Sequence, residues 1–225
     1  MNLSGIDMTQ MTENADLEEQ LIDDIADALA QRGFIHLQHL LPKWLALQLM
    51  HEAQRLAAFE FKPAGIGRNN HQQVNSQVRT DSTLWLRGNS LTQQAYLDWM
   101  EQLRMGLNRR LFMGLFDFEC HFSHYSTGDF YQRHLDAFKG RSNRILSSVF
   151  YLNPHWSESD GGELLLYADE QPSPLLVVPP EFNSCILFLS DVFPHEVLAS
   201  HSDRFSIAGW YRVNSQSSDR LDPNQ

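Results

Sequence analysis

The segment Tyr131-Gln132-Arg133-His134-Leu135-Asp136 places an imidazole and a carboxylate two residues apart. In a strand or at its end, residues i and i+2 point the same way, so His134 and Asp136 can converge on one point. A third ligand of matching chemistry stands at His195, in Phe193-Pro194-His195-Glu196-Val197. Two histidines and one carboxylate on one face of a metal leave the opposite positions open, the donor set of non-haem Fe(II) centres that handle oxygen. Arg204 follows His195 in Asp203-Arg204-Phe205-Ser206, where its planar fork could hold a dicarboxylate. His-x-Asp alone is a weak signal, and the four residues at this spacing are a strong one. Of the ten histidines, His36, His39, His51, His71, His121, His124, His155 and His201 read as ordinary satisfied or exposed side chains.

Periodicity predicts the elements that carry these residues. Leu17, Leu21, Ile22, Ile25, Ala26 and Leu29 form one stripe at helical spacing, and Gly33 follows where a helix end favours glycine. Phe34 to Leu37 predicts a short strand, and Pro42 opens a second amphipathic helix over Lys43 to Phe59. Pro63, Gly65 and Gly67 predict a long loop over residues 60–75. Gln77 to Leu86 predicts strand or hairpin, and a third helix is expected over about Leu91–Leu115.

Beyond Phe116 come short β-rich runs: 118–125, 145–152, 163–167, 175–178, 184–189 and 205–211. Turns such as Asp160-Gly161-Gly162 separate them, which suggests a sandwich or barrel. The whole predicts one α+β, mainly β domain over 17–213. Helical support fills about 17–115 and the β core about 116–213. Residues 1–16 read as a flexible leader and 214–225 as a polar tail.

Composition excludes several classes. The chain has 225 residues, of which 42% are hydrophobic and 11% aromatic, enough apolar material for a sizeable core. Seventeen basic against 28 acidic residues leave a net charge of −11, which argues against phosphate neutralisation and so against a nucleic-acid partner. Two cysteines, Cys120 and Cys185, exclude a disulfide scaffold and a cysteine-based zinc site. No targeting segment and no apolar run long enough to span a membrane is read, so a reduced, cytoplasmic compartment is expected.

At these residues the sequence resembles the 2-oxoglutarate- and Fe(II)-dependent oxygenases. Within them it is most similar to the prolyl hydroxylases that act on hypoxia-inducible factor and to their bacterial relatives. Phe150 to Trp156, followed by Gly161-Gly162-Glu163-Leu164, resembles that family's strand and glycine turn. Asp191 to Val197 resembles the segment with the second histidine, and Arg204 to Tyr211 the strand ending in Trp-Tyr. Val78-Arg79-Thr80-Asp81-Ser82-Thr83-Leu84-Trp85 resembles the Arg-x-Asp loop that folds over the substrate. The likeness covers about Gly33 to Arg212.

The resemblance implies a double-stranded β-helix, or jelly-roll, with supporting N-terminal helices. It implies Fe(II) on His134, Asp136 and His195, with O2 and 2-oxoglutarate as co-substrates and ascorbate as a reductant. Arg204 would pair with the distal carboxylate of 2-oxoglutarate, Tyr151 would bond the same group, and Tyr125 would lie near its chelating end. Arg79, Asp81, Arg144 and Trp210 would meet the substrate, while Trp85 and Trp156 read as packing residues. Prolyl 4-hydroxylation of a protein loop is the implied activity, with elongation factor Tu as the substrate suggested by bacterial relatives. The same triad also serves enzymes that oxidise amino acids, metabolites or alkylated bases, and a non-catalytic sensing binder is a further alternative. Two departures stand out: Tyr125 to His134 is one residue shorter than in the animal enzymes, and Ala208 replaces their threonine near the iron.

Overall fold

A computed structural model describes residues 17–65, 77–137, 142–169 and 171–214. The leader, the loop from residue 66 and the tail beyond residue 214 fall outside them. Helix α1 (Glu19–Arg32) ends at Gly33, whose left-handed φ of 78° lets its N–H reach the Leu29 carbonyl. Helix α2 (Lys43–Ala57) begins after Pro42. Helix α3 (Leu91–Leu111) is capped by Ser90, whose Oγ accepts from the Gln93 N–H. It stops short of Leu115 because Phe112 turns left-handed, at φ 53°.

The strands are β1 (Phe34–Gln38), β2 (Lys62–Pro63), β3 (Ser82–Trp85), β4 (Leu115–Tyr125), β5 (Tyr131–His134), β6 (Arg144–Tyr151), β7 (Leu164–Leu166), β8 (Leu176–Val178), β9 (Ser184–Leu189), β10 (His195–Val197) and β11 (Arg204–Val213). They form two antiparallel sheets, one of seven strands in the order β1-β9-β6-β11-β4-β3-β2 and one of four in the order β5-β10-β7-β8. This is the jelly-roll expected. The N-terminal part is not purely helical support, because β1 closes one edge of the large sheet and β3 with β2 closes the other.

The two-residue period of a strand sorts the side chains between two cores. On β9, Cys185 and Leu187 pack toward the helices with Ile25, Leu49, Met100 and Leu103. Ile186 and Phe188, on the opposite face, pack between the sheets with Tyr151, Leu164, Leu166 and Val178. Strand β11 repeats the rule. Phe205, Ile207 and Tyr211 join the helix-side core, while Arg204, Ser206, Ala208 and Trp210 line a cavity. On β4, Cys120 and Phe122 take the helix side, and His121, Ser123 and Tyr125 take the cavity side.

Candidate functional site

The cavity has a volume of about 160 Å³. His134 on β5 and His195 on β10 are direct cross-strand partners, so pairing alone sets their rings side by side, with centroids 4.2 Å apart. Asp136 lies just past the end of β5 and turns back between them. Its Oδ1 is 3.6 Å from His134 Nε2 and its Oδ2 is 3.6 Å from His195 Nε2. One ligand atom from each of the three falls within 4.8 Å of the others.

The tautomers follow from the neighbours. His134 Nδ1 lies 2.8 Å from the Gln132 carbonyl, and His195 Nδ1 lies 3.2 Å from the Phe193 carbonyl. A carbonyl only accepts, so each Nδ1 donates there and each Nε2 is turned to the shared point. Burial, then the His134 ring, lowers the His195 pKa to about 4. Burial pushes the Asp136 carboxyl up, but the two imidazoles and Arg144 outweigh it and hold the group well below the usual carboxylate range. Near neutral pH, Asp136 is therefore a carboxylate and His195 a neutral imidazole, the forms that bind metal.

Arg204, 3% exposed, approaches from the start of β11. Its Nε donates to the Gly162 carbonyl at 2.8 Å and its Nη1 to Ser206 Oγ at 3.2 Å. A Cβ at Gly162 would sit 2.8 Å from Arg204 Cδ, so glycine there is required by the arginine as well as by its own φ of 73°. The guanidinium carbon lies 4.7 Å from the Tyr125 ring centroid and 5.2 Å from that of Tyr151. Burial pushes both tyrosine hydroxyls up, so both stay protonated donors. Arg204 Nη2, the Tyr151 hydroxyl, His134 Nε2 and Trp210 Nε1 are buried without a hydrogen-bond partner. Orphaned buried polar atoms are costly, and clustered here they fit a bound anion and a metal ion.

The remaining candidates divide. Arg79 lines the cavity and forms a two-pronged pair with Asp81, at 2.7 and 2.6 Å. Asp81 is fully buried and does not line the cavity; it anchors Arg79. The Arg144 guanidinium carbon lies 3.6 Å from the Trp210 ring centroid, and the side chain pairs with Glu119 at 2.8 Å. Glu119 also pairs with Arg212, which in turn holds Asp117. Tyr151 supports Arg204 from beside the cavity and is not among the residues that line it.

Three residues at the site were not picked out from the sequence. Tyr131 stacks on His134 at 3.6 Å and lies under Arg79 at 4.3 Å. His121 and Trp85 line the cavity wall beside Trp210. His121 shares strand parity with Tyr125, which was the available signal.

Residues 120–212 match the family model of the 2OG-Fe(II) oxygenase superfamily. A prolyl-4-hydroxylase from Pseudomonas putida is 36% identical, with a TM-score of 0.78, over 86% of this chain and 100% of that one. A Trichoplax adhaerens prolyl hydroxylase, solved with a hypoxia-inducible factor peptide, is 25% identical with a TM-score of 0.77, over 92% and 94%. The Prolyl 3-hydroxylase OGFOD1 of Xenopus laevis is 36% identical over 103 residues, 42% of this chain and 19% of that protein. The matched stretch spans only 12 to 35% of the length of such curated relatives. The chain belongs to the 2-oxoglutarate- and Fe(II)-dependent oxygenase superfamily, whose cofactor and co-substrate fit the donors described.

Proposed function

We propose that the chain is a prolyl 4-hydroxylase acting on a protein loop. The observation that carries this reading is the meeting, in one cavity, of an open two-histidine, one-carboxylate set and a buried guanidinium with an unpartnered Nη2. His134, Asp136 and His195 would hold Fe(II). Bound there, iron supplies the oxidation of a substrate C–H bond by O2, coupled to decarboxylation of 2-oxoglutarate. Arg204 offers its free edge to the distal carboxylate, and the protonated hydroxyls of Tyr151 and Tyr125 donate beside it. Arg79, Arg144 and Trp210 shape the more exposed end, where a prolyl ring would enter, and Asp81 acts by holding Arg79.

A protein substrate is supported by the likeness to the Trichoplax enzyme, which was solved with a peptide, and position 4 by the likeness to the Pseudomonas enzyme. No helix among the described residues is long and apolar enough to cross a membrane. Elongation factor Tu is the first substrate to test, in the cytoplasm that the sequence suggests. The test is incubation with Fe(II), 2-oxoglutarate and that factor, reading one added oxygen on a proline by mass spectrometry and its ring position by NMR. His134→Ala must abolish the product. No oxygen on any proline, with no succinate formed on a panel of prolyl peptides, overturns the reaction; a 3-hydroxy product overturns the regiochemistry.

A further inference from the structure

We infer that Ser190 and Ser147 form a hydrogen-bond relay that decides which oxygen of Asp136 is free for a metal. The inference rests on the metal-site reading above and concerns residues that neither the spacing of the motif nor the family likeness picks out.

The relay follows from counting protons. A carboxylate oxygen accepts hydrogen bonds. Ser147 Oγ lies 2.7 Å from Asp136 Oδ2, so Ser147 is the donor there. Its single proton is then committed. Ser147 Oγ also lies 2.8 Å from Ser190 Oγ, so Ser190 must donate in that contact. The chain of donation runs from Ser190 to Ser147 to Asp136, and each bond polarises the next. Ser147 is 1% exposed and Ser190 fully buried, so the relay sits where hydrogen bonds are strongest.

The backbone reinforces it. The Ser190 N–H donates to the Ile145 carbonyl at 3.0 Å, and its own carbonyl accepts from the Ala137 N–H at 3.2 Å. Ser190 therefore fastens the residue after Asp136 to β6, the strand that carries Ser147. Through these contacts the large sheet fixes a ligand that follows a strand of the small one.

The consequence is chemical. Oδ2 accepts the Ser147 hydrogen bond, while Oδ1, 3.6 Å from His134 Nε2, takes none from either serine. Asp136 thus presents one oxygen to an ion. A carboxylate offering both would fill a position that the co-substrate or oxygen needs. Ser147 is a positioning residue that keeps the centre open, and Ser190 holds Ser147 to that task.

The test uses Co(II) as probe on the full, metal-stripped chain, reading affinity and visible ligand-field spectrum. Ser147→Ala should weaken Co(II) binding about 10- to 100-fold and change the spectrum, as loss of a hydrogen bond to a metal ligand does. Ser147→Thr, which keeps the hydroxyl, should restore both. Ser190→Ala should shift the spectrum in the same direction with a smaller loss of affinity. Wild-type affinity and spectrum in Ser147→Ala, or no rescue by Ser147→Thr, overturns the relay. If Ser147→Ala does not fold, an unchanged spectrum in Ser190→Ala overturns it instead. A wild-type chain that binds no Co(II) overturns relay and metal site together, whereas inactivity on prolyl substrates counts against the proposed reaction alone.

Discussion

The two ends of the cavity treat their charges in opposite ways. At the inner end, Arg204 is buried against neutral partners only, a carbonyl and a hydroxyl, and one nitrogen is left without any. At the outer end Arg79, Arg144 and Arg212 each have a carboxylate. Arg79 is paired with Asp81, and Arg144 and Arg212 share Glu119 with Asp117 alongside. The outer guanidinium groups also lie over rings, Arg79 on Tyr131 and Arg144 on Trp210. A buried cation without an anion is costly, so the inner end is built for an anion that arrives as ligand. Paired and stacked cations carry little net field, so the outer end favours a neutral ring or peptide chosen by shape.

The largest expected effect breaks the outer end. Asp81→Ala leaves the Arg79 guanidinium, whose side chain is 11% exposed, without its partner. Removing one member of a buried pair costs about 3–5 kcal/mol, which for a chain of this size lowers the melting temperature by about 10 °C. Replacing both members by apolar residues should recover much of that loss. A single variant that melts as the wild type does would show that the outer charges are not held as pairs.

The next effect separates the ends. Arg204→Leu removes the buried cation of the inner end, which has no carboxylate partner among the described residues, so 2-oxoglutarate affinity should fall about 100-fold or more while Co(II) binding is retained. Arg144→Leu should leave 2-oxoglutarate affinity near that of the wild type, because Arg144 is already neutralised by Glu119. Calorimetric titration of both variants decides it. Equal losses from the two would erase the distinction between the ends.

The legibility of these parts in the sequence follows the range of the interactions. His134, Asp136, His195 and Arg204 stood out because donor type and spacing reflect strand geometry that the chain repeats locally. The three helices were legible from apolar stripes, and Gly161 and Gly162 from the turn they make, with φ of 61° and 73°. The strands that carry the ligands were the hardest to read. β5 has four residues and β10 three, too short for alternation to show. The roles of Glu119, Tyr131 and Ser147 depend on pairing between distant strands, which no local pattern encodes. His121 reads like seven other histidines because one imidazole in an apolar strand has no signature until its parity with Tyr125 is set against the sheet.

His121 lies on the wall between the two ends and allows the smallest test. It is 4% exposed, with its ring against Trp85 and Trp210, and burial followed by the nearby Arg79 lowers its pKa to about 3. The unfolded chain takes up this proton near the ordinary value of 6.5, and the folded chain resists it until much lower pH. The unfolded state therefore binds more protons in between, so stability is complete above about pH 6.5 and is lost as the pH falls. Between about pH 7 and 5 His121 should cost about 2 kcal/mol, and His195, lowered to about 4, adds a similar amount in the metal-free chain. His121→Gln keeps a polar partner for Ser123 and removes one of the titrations that burial lowers, those of His36 and His195 remaining. Melting of the metal-free variant should therefore depend on pH less steeply than that of the wild type between about pH 7 and 5. An unchanged slope would mean that His121 takes up its proton in the folded chain, and that the wall carries a charge neither end of the cavity compensates.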